Sequence, residues 1–273
     1  MRKAKEYISN PLLLDPQEGT KSTSSLSGRK FHLRVYALAV GVLSVYISTD
    51  MLALFASAPY SPPASTLQED AEQDLSSHLT NTCLQSEEEA DKSVFLLSDL
   101  RGKSILDEHG DVIGTISQDQ IDRVIKRIGE VIGETFAAGL GMPNHFTVCH
   151  SPLCLHLQGE ADHALMYDQV AENAFEVFGV DIMLSTPSSP SPSTEIAVHL
   201  LEINACPDFR QSGAGLHSVI ENLFQGVLQI AVKPCFVETK EEKEEEESWK
   251  VGQRKGSWLK CLDEKVRRVA RPW

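Results

Sequence analysis

AFEVFGVDIMLSTPSSPSPSTEIAVHLLEINACPDF, residues 174–209, is the stretch that decides the fold. Two apolar segments with strand character, 177–184 and 196–204, flank a Ser/Pro-rich loop, and each carries a carboxylate among hydrophobic neighbours. This pattern predicts a β-hairpin whose loop, at about 186–194, is a flexible insertion.

Three oxygen-bearing side chains can meet in this hairpin. Strict alternation in the second strand puts Glu202 and Asn204 on one face, roughly 7 Å apart, and Asp181 reaches that face if the strands pair antiparallel. The same alternation puts three apolar residues there as well: Ile196, Val198 and Leu200. Such oxygens are ligands for Mg²⁺, which usually shares them with nucleotide phosphates. The residues alone leave a second interpretation open, in which Asp181 closes a turn and Glu202 ends a strand.

Composition bounds the class of protein. The 273 residues are 41% hydrophobic, which is enough for one large or two modest domains with a real core. A formal net charge of −14 argues against nucleic-acid binding. Without a signal peptide, we expect reduced thiols and a cytoplasmic protein. The six scattered cysteines are Cys83, Cys149, Cys154, Cys206, Cys235 and Cys261.

Residues 35–49 contain no charged side chain and follow a basic flank. A run of this length is too short for a transmembrane helix, which needs about 20 apolar residues. We therefore expect no membrane span, and two buried strands around Gly41 instead.

The first of these strands carries a basic row. In KFHLRVY, alternation puts Lys30, His32 and Arg34 on one face, where they can bind phosphate or carboxylate or can form a solvated edge. Further on, a short polar segment can contact a ligand or cap a turn through His78, Thr80 and Asn81.

Helical periodicity recurs three times. The clearest helix is predicted at 117–140, with a capping box formed by Ser117 and Gln120. Its apolar stripe is Ile121, Val124, Ile125, Ile128, Val131, Ile132 and Phe136. Others are predicted at about 161–174 and at 215–232. The apolar side of the last is Leu216, Val219, Ile220, Leu223, Phe224, Val227 and Leu228.

The remaining patterns are weaker. Cys149 and Cys154, with nearby histidines, match no regular zinc spacing, and a single apolar strand explains the segment better. Residues 238–247 hold seven Glu and two Lys, whereas 254–271 are basic. We therefore predict a domain at 1–236, with flexible insertions at about 15–29 and 61–76, followed by a charged tail at 237–273.

Five segments together resemble the C-terminal part of the tubulin-tyrosine ligase family, which belongs to the ATP-grasp superfamily, and most of all its fungal branch. The resemblance implies an α+β fold of the ATP-grasp type, a mostly antiparallel sheet with packed helices. It also implies an N-terminal lobe ahead of Met1, so we expect the chain alone to bind ATP weakly. The segments are KEYISNPLLL, RKFHLRVY, HLTN, FEVFGVDIML and LLEINACPDF.

The family implies an ATP-dependent ligase that joins an amino acid, tyrosine or glutamate, to a protein such as tubulin through an acyl phosphate. By the same resemblance the Mg²⁺ ligands are Asp181, Glu202 and Asn204. The catalytic cations are Lys30 and Arg34, and Lys30 also contacts ATP. The adenine hinge includes Lys5, Glu6 and Ile8.

Two positions depart from the family. His32 replaces an acid in its Lys-x-Asp-x-Arg strand, and no arginine lies near Ala53 or Leu54.

The sequence also allows an alternative to the ligase. In this alternative the chain is a catalytically incompetent fragment that acts as a protein-binding or regulatory module.

Overall fold

Strand β2 (Arg29–Val40) is the centre of the sheet in this computed structural model. On one side it pairs antiparallel with β8 (Phe175–Ser185) over nine residues, His32 to Val40. Along the same edge, β1 (Leu13–Leu14) pairs antiparallel with the first two residues of β2. The other edge pairs, also antiparallel, with two shorter strands, β4 (Leu52–Phe55) and β3 (Ser44–Ser48). Both edges of β2 are therefore covered along its length.

The structure describes residues 7–19, 25–41, 43–62, 75–80, 93–140, 174–186, 195–205, 207, 209, 217–236 and 249–264. Six further strands extend the sheet by antiparallel pairing, β5 on β4, β6 on β1, β7 on β6, β9 on β8, β11 on β3 and β10 on β11. They are β5 (Val94–Leu96), β6 (Ser104–Leu106), β7 (Val112–Thr115), β9 (Ala197–Asn204), β10 (Arg254–Lys255) and β11 (Trp258–Asp263).

Both predicted hairpins are confirmed. Strands β2 and β3 are joined at Gly41, whose φ of 58° is a backbone conformation that glycine adopts without steric cost. The uncharged run at 35–49 therefore forms two buried strands. None of the described helices is both long and apolar enough to cross a membrane.

Helix α1 (Gln118–Leu140) covers one face of the sheet. Its predicted capping box is present. The backbone N–H of Gln120 donates to Ser117 Oγ at 3.2 Å, and the backbone N–H of Ser117 donates to the side-chain Oε1 of Gln120 at 2.9 Å. The stripe that packs on the sheet is fully buried at Ile121, Val124, Ile128, Ile132 and Phe136.

The opposite face is covered over part of its area by α2 (His217–Val227), which continues through a wider turn, Leu228–Val232, into a tighter one, Lys233–Phe236. Two residues of its predicted apolar side do not pack on the sheet. Phe224 and Leu228 are 44% and 56% exposed, because only the side that carries Val219, Leu223 and Val227 turns toward the sheet. The helix predicted at about 161–174 lies outside the described residues, except Ala174, which is not helical.

Part of the segment predicted to be a charged tail belongs to the sheet. Strand β11 extends it beyond β3. Trp258 is buried against Gly226 of α2, and Trp249 is buried against the ring of Tyr46. At the opposite end of the sheet, residues 15–19 of the insertion predicted at 15–29 are held to β6, since the Glu18 carboxylate accepts hydrogen bonds from the Ser104 backbone amide and hydroxyl at 2.7 Å each.

Helix α1 approaches β11 so closely that glycine is required at one position. A Cβ on Gly133 would lie 2.6 Å from the backbone oxygen of Cys261, which cannot move without shifting the strand.

We predict that Gly133→Ala lowers the free energy of unfolding by about 1–3 kcal/mol, because helix and strand must separate. Urea unfolding measures this, with Gly114→Ala as the control, since its Cβ would meet only Ile105 Cδ1 at 3.6 Å. Equal stability of Gly133→Ala and the wild-type protein would show that α1 and β11 have room for the added methyl group.

Candidate active site

The basic row of β2 is buried. Lys30, His32 and Arg34 are 7%, 4% and 6% exposed, and they lie on the face opposite Phe31 and Leu33. The interpretation as a solvated edge is wrong, because β2 is bordered by strands on both sides. Buried charges need partners, so the contacts of these side chains define what the site can do.

Arg34 is paired with Asp181 of the neighbouring strand. The β2–β8 register places the two residues directly opposite each other. Arg34 Nε donates to Asp181 Oδ1 at 2.5 Å, and Arg34 Nη2 donates to Oδ2 at 3.3 Å. Asp181 itself is 7% exposed. The alternative that Asp181 closes a turn is therefore excluded, since it lies in mid-strand in a two-point ion pair.

Strand β9 brings two more oxygen-bearing side chains to this face. Glu202 is opposite Asp181, Asn204 is opposite Gly179, and the Asn204 amide donates to Glu202 Oε1 at 3.2 Å. The predicted convergence of these side chains is therefore present, whereas the predicted alternation is wrong. Between Asp181–Glu202 and Ile182–Leu200, β9 has one additional residue, Leu201. This bulge reverses the alternation, so Ile196, Val198 and Leu200 face the α1 side and Glu202 and Asn204 the other.

The oxygen-only set of Asp181, Glu202 and Asn204 has the chemistry that Mg²⁺ prefers. In the described part of the chain, no three His, Cys, Asp or Glu side chains form a metal-binding group, so a site here needs the Asn204 amide oxygen. An ionised carboxylate offers about four lone-pair positions, and Arg34 takes only two of those on Asp181. The residues present therefore fit a divalent cation.

His32 lies between the basic row and the carboxylates. Its Nδ1 is 2.7 Å from Thr80 Oγ1, and its Nε2 is 3.7 Å from Asp181 Oδ1. Burial, with the positive charge of Arg34, lowers the pKa of His32 to about 3, against an opposing effect of Glu202. His32 is therefore a neutral imidazole at pH 7.

Lys30 connects the basic row to the segment predicted as the adenine hinge. Its ammonium lies 4.8 Å from the ring centroid of Tyr7, whose hydroxyl is 3.3 Å from His78 Nδ1. Lys5 and Glu6 lie outside the described residues, whereas Ile8 is half-buried. Two residues beyond Ile8, the Asn10 backbone oxygen accepts the Thr186 amide at 3.2 Å, so this segment runs beside the end of β8.

One polar pair on this face was missed by sequence reasoning. Ser185 Oγ and His199 Nε2 are 2.8 Å apart, and His199 is opposite Met183 on the Asp181 face. Alternation from Glu202 assigns His199 to the other face, so only knowledge of the bulge could have found it. The possible zinc cysteines, Cys149 and Cys154, lie outside the described residues, as does Asn81.

The antiparallel sheet, with helices packed on it, is similar to a solved structure. That structure is the C-terminal domain of K. lactis Pby1, described as an ATP-grasp enzyme that interacts with the mRNA decapping enzyme Dcp2. The two match with a TM-score of 0.53 and 24% identity, over 95% of this chain and 52% of the other. The chain therefore has an α+β ATP-grasp fold, as predicted.

The model of the tubulin-tyrosine ligase family matches residues 4–241, and the chain belongs to this family. It is 35% identical over 232 residues to a probable tubulin–tyrosine ligase of Schizosaccharomyces pombe and 31% identical over 243 residues to the probable tubulin–tyrosine ligase PBY1 of Saccharomyces cerevisiae. These matches cover 85% and 88% of this chain, but 42% and 26% of the two relatives. The chain thus spans less than half the length of either yeast protein.

The Arg34–Asp181 pair yields a stability prediction. Arg34→Met leaves the Asp181 charge buried without its main partner and should lower the free energy of unfolding by about 3–5 kcal/mol. Urea unfolding of Arg34→Met/Asp181→Leu is the matched test. The double variant should be more stable than Arg34→Met, because no charge is stranded, and equal destabilisation would contradict this account.

The lowered pKa of His32 yields a pH prediction. Between pH 6.5 and 3 the unfolded chain binds a proton at this residue that the folded chain does not, so stability decreases as the pH decreases. From pH 7 to 5 the wild-type protein should lose about 2 kcal/mol more than His32→Gln. Urea unfolding at both pH values tests this. His109→Gln, at an exposed histidine, is the control and should behave as the wild type.

Proposed function

We propose that the chain is part of an ATP- and Mg²⁺-dependent carboxylate–amine ligase that adds an amino acid to a protein such as tubulin. One observation carries this proposal: a carboxylate and amide set, Asp181, Glu202 and Asn204, shares a sheet face with the buried cations Lys30 and Arg34. Tyrosine and glutamate are the expected amino acids, since relatives are named as a probable tubulin–tyrosine ligase and as the tubulin polyglutamylase ttll-4 of Caenorhabditis briggsae, which is 28% identical.

Each group has a role in this proposal. Asp181, Glu202 and Asn204 would hold Mg²⁺, and bound Mg-ATP would supply the phosphoryl group that activates the acceptor carboxyl as an acyl phosphate for attack by an amine. Lys30 and Arg34 place fixed positive charge beside this set, where it stabilises negative charge without reorganisation. The segment around Ile8, beside the end of β8, would receive the adenine.

A protein-binding role is the second candidate. The ion pair with Arg34 already engages both Asp181 oxygens and so competes with metal binding there. On another surface, Phe224, Leu228 and Phe236 are 44%, 56% and 80% exposed, and exposed apolar side chains suit protein contacts. The K. lactis neighbour, described as interacting with Dcp2, supports a protein partner for this fold. We expect this chain to act in the cytoplasm, consistent with the free thiols of Cys235 and Cys261.

We predict that Glu202→Gln weakens Mg²⁺-dependent ATP binding by about tenfold or more, because a charged ligand oxygen is lost. Isothermal titration with ATP, with and without Mg²⁺, measures this. Glu134→Gln is the matched control, since Glu134 is exposed on α1, on the opposite side of the sheet.

The same titration separates the two candidate functions. Mg-ATP binding that is lost in Glu202→Gln and kept in Glu134→Gln supports the ligase site. Binding that is unaffected by Glu202→Gln removes this residue from the metal site. Since weak Mg-ATP binding is expected of this chain alone, a complete absence of binding by the wild-type protein favours the protein-binding role.

A further inference from the structure

The imidazole Nε2 of His32 is a buried polar atom without a hydrogen-bond partner among the described residues. Two other such atoms, Arg29 Nε and Trp258 Nε1, lie outside the group of residues proposed to bind metal and nucleotide. An unsatisfied buried polar atom costs about 1–3 kcal/mol, so one that persists beside a functional site calls for a reason.

The surroundings of His32 determine which nitrogen carries the proton. A neutral imidazole has one N–H donor and one acceptor nitrogen, and the Thr80 hydroxyl, 2.7 Å from Nδ1, can donate or accept. The nearest charged oxygen to Nε2 is Asp181 Oδ1, at 3.7 Å. A lone pair on Nε2 would face this negative charge, whereas an N–H would be attracted to it. The favoured arrangement therefore has Thr80 donating to Nδ1 and the proton on Nε2.

The two oxygens of Asp181 are not equivalent. Oδ1 accepts a hydrogen bond from Arg34 Nε at 2.5 Å and also has His32 Nε2 at 3.7 Å, a distance at which the two attract electrostatically without a hydrogen bond. Among the described residues, Oδ2 has only Arg34 Nη2, at 3.3 Å, which is a long contact for a charged pair. Oδ2 is thus the oxygen with more capacity for another partner.

We propose that His32 is a positioning residue for Asp181, held by Thr80 so that its Nε2–H attracts Oδ1 electrostatically and leaves Oδ2 for a divalent cation. The proposal rests on the proposed metal site and adds the two residues that orient its buried carboxylate. Neutral histidine suits this role because it supplies a donor without adding positive charge beside Lys30 and Arg34.

Thr80 thereby acquires a role that neither sequence interpretation included. Thr80 is the last residue of the described segment 75–80 and is 8% exposed, and its hydroxyl contacts β2 at His32. Removing a residue that orients a metal-binding side chain from outside the coordination sphere commonly changes the metal affinity by about 10–100-fold.

The tautomer is tested directly by two-bond ¹H–¹⁵N correlation spectra of the ¹⁵N-histidine-labelled protein at pH 7, without metal. The His32 signals are those missing in His32→Gln. We expect the proton on Nε2, and a proton on Nδ1 overturns the proposal, because Nε2 would then have nothing to donate.

The effect on metal affinity is tested by titrating the full chain with Mn²⁺ alone and measuring free Mn²⁺ by electron paramagnetic resonance. Thr80→Val should raise the Kd for Mn²⁺ by about tenfold. Thr80→Ser, which keeps the hydroxyl, should restore tight binding. Thr135→Val is the matched control, because the Thr135 hydroxyl bonds only within α1, to the Val131 oxygen at 2.7 Å. His32→Gln, which keeps a side-chain N–H, should bind Mn²⁺ more tightly than His32→Leu.

The outcomes distinguish this inference from the function it rests on. Tight Mn²⁺ binding that is equal in wild type and Thr80→Val overturns the role of His32 and leaves the metal site standing. A wild-type chain that binds no Mn²⁺ overturns the metal site and, with it, the role of His32. Thermal unfolding of each variant shows whether it is folded. If Thr80→Val does not fold, the comparison of His32→Gln with His32→Leu tests the proposal, and equal Mn²⁺ affinity of the two overturns it.

Discussion

The antiparallel pairing of β2 with β8 is the interaction on which the rest of the structure depends. It aligns nine residue pairs and places Arg34 opposite Asp181 in the interior of the sheet. A buried charge without a partner is costly, so this register is favoured over a shift of one residue, which would put the two charges on opposite faces of the sheet. The same pairing gives the molecule its two chemically different faces.

These faces explain how a largely buried sheet can carry a polar site. One face is apolar throughout and packs on α1, which supplies a continuous core. The other face changes character along β2. From Lys30 to Arg34 it carries charged and polar side chains, whereas from Tyr36 onward it is apolar and is covered by α2 and Trp258. Site and core thus share one strand, and the packing that stabilises the fold also holds the ionic side chains in place.

The bulge at Leu201 is a small irregularity with a large effect. Without it, Glu202 and Asn204 would face α1 and the apolar core, and Asp181 would have no oxygen-bearing neighbours on β9. With it, β9 supplies apolar contacts to the core and polar atoms to the other face. Bulges often redirect side chains beside functional sites, and this one creates the donor set on which the proposed metal site depends.

The sequence by itself determined the fold family, both hairpins and the capped helix α1, and it named Asp181, Glu202 and Asn204 as candidates, because periodicity, caps and ordered motifs are local. It did not determine that Lys30, His32 and Arg34 are buried, that His199 shares their face, or that β11 completes the sheet. Those features depend on which distant strands cover β2 and on one unpaired residue in β9. The tertiary structure decided them, because burial and side-chain direction are set by neighbours that alternation along a single strand does not reveal.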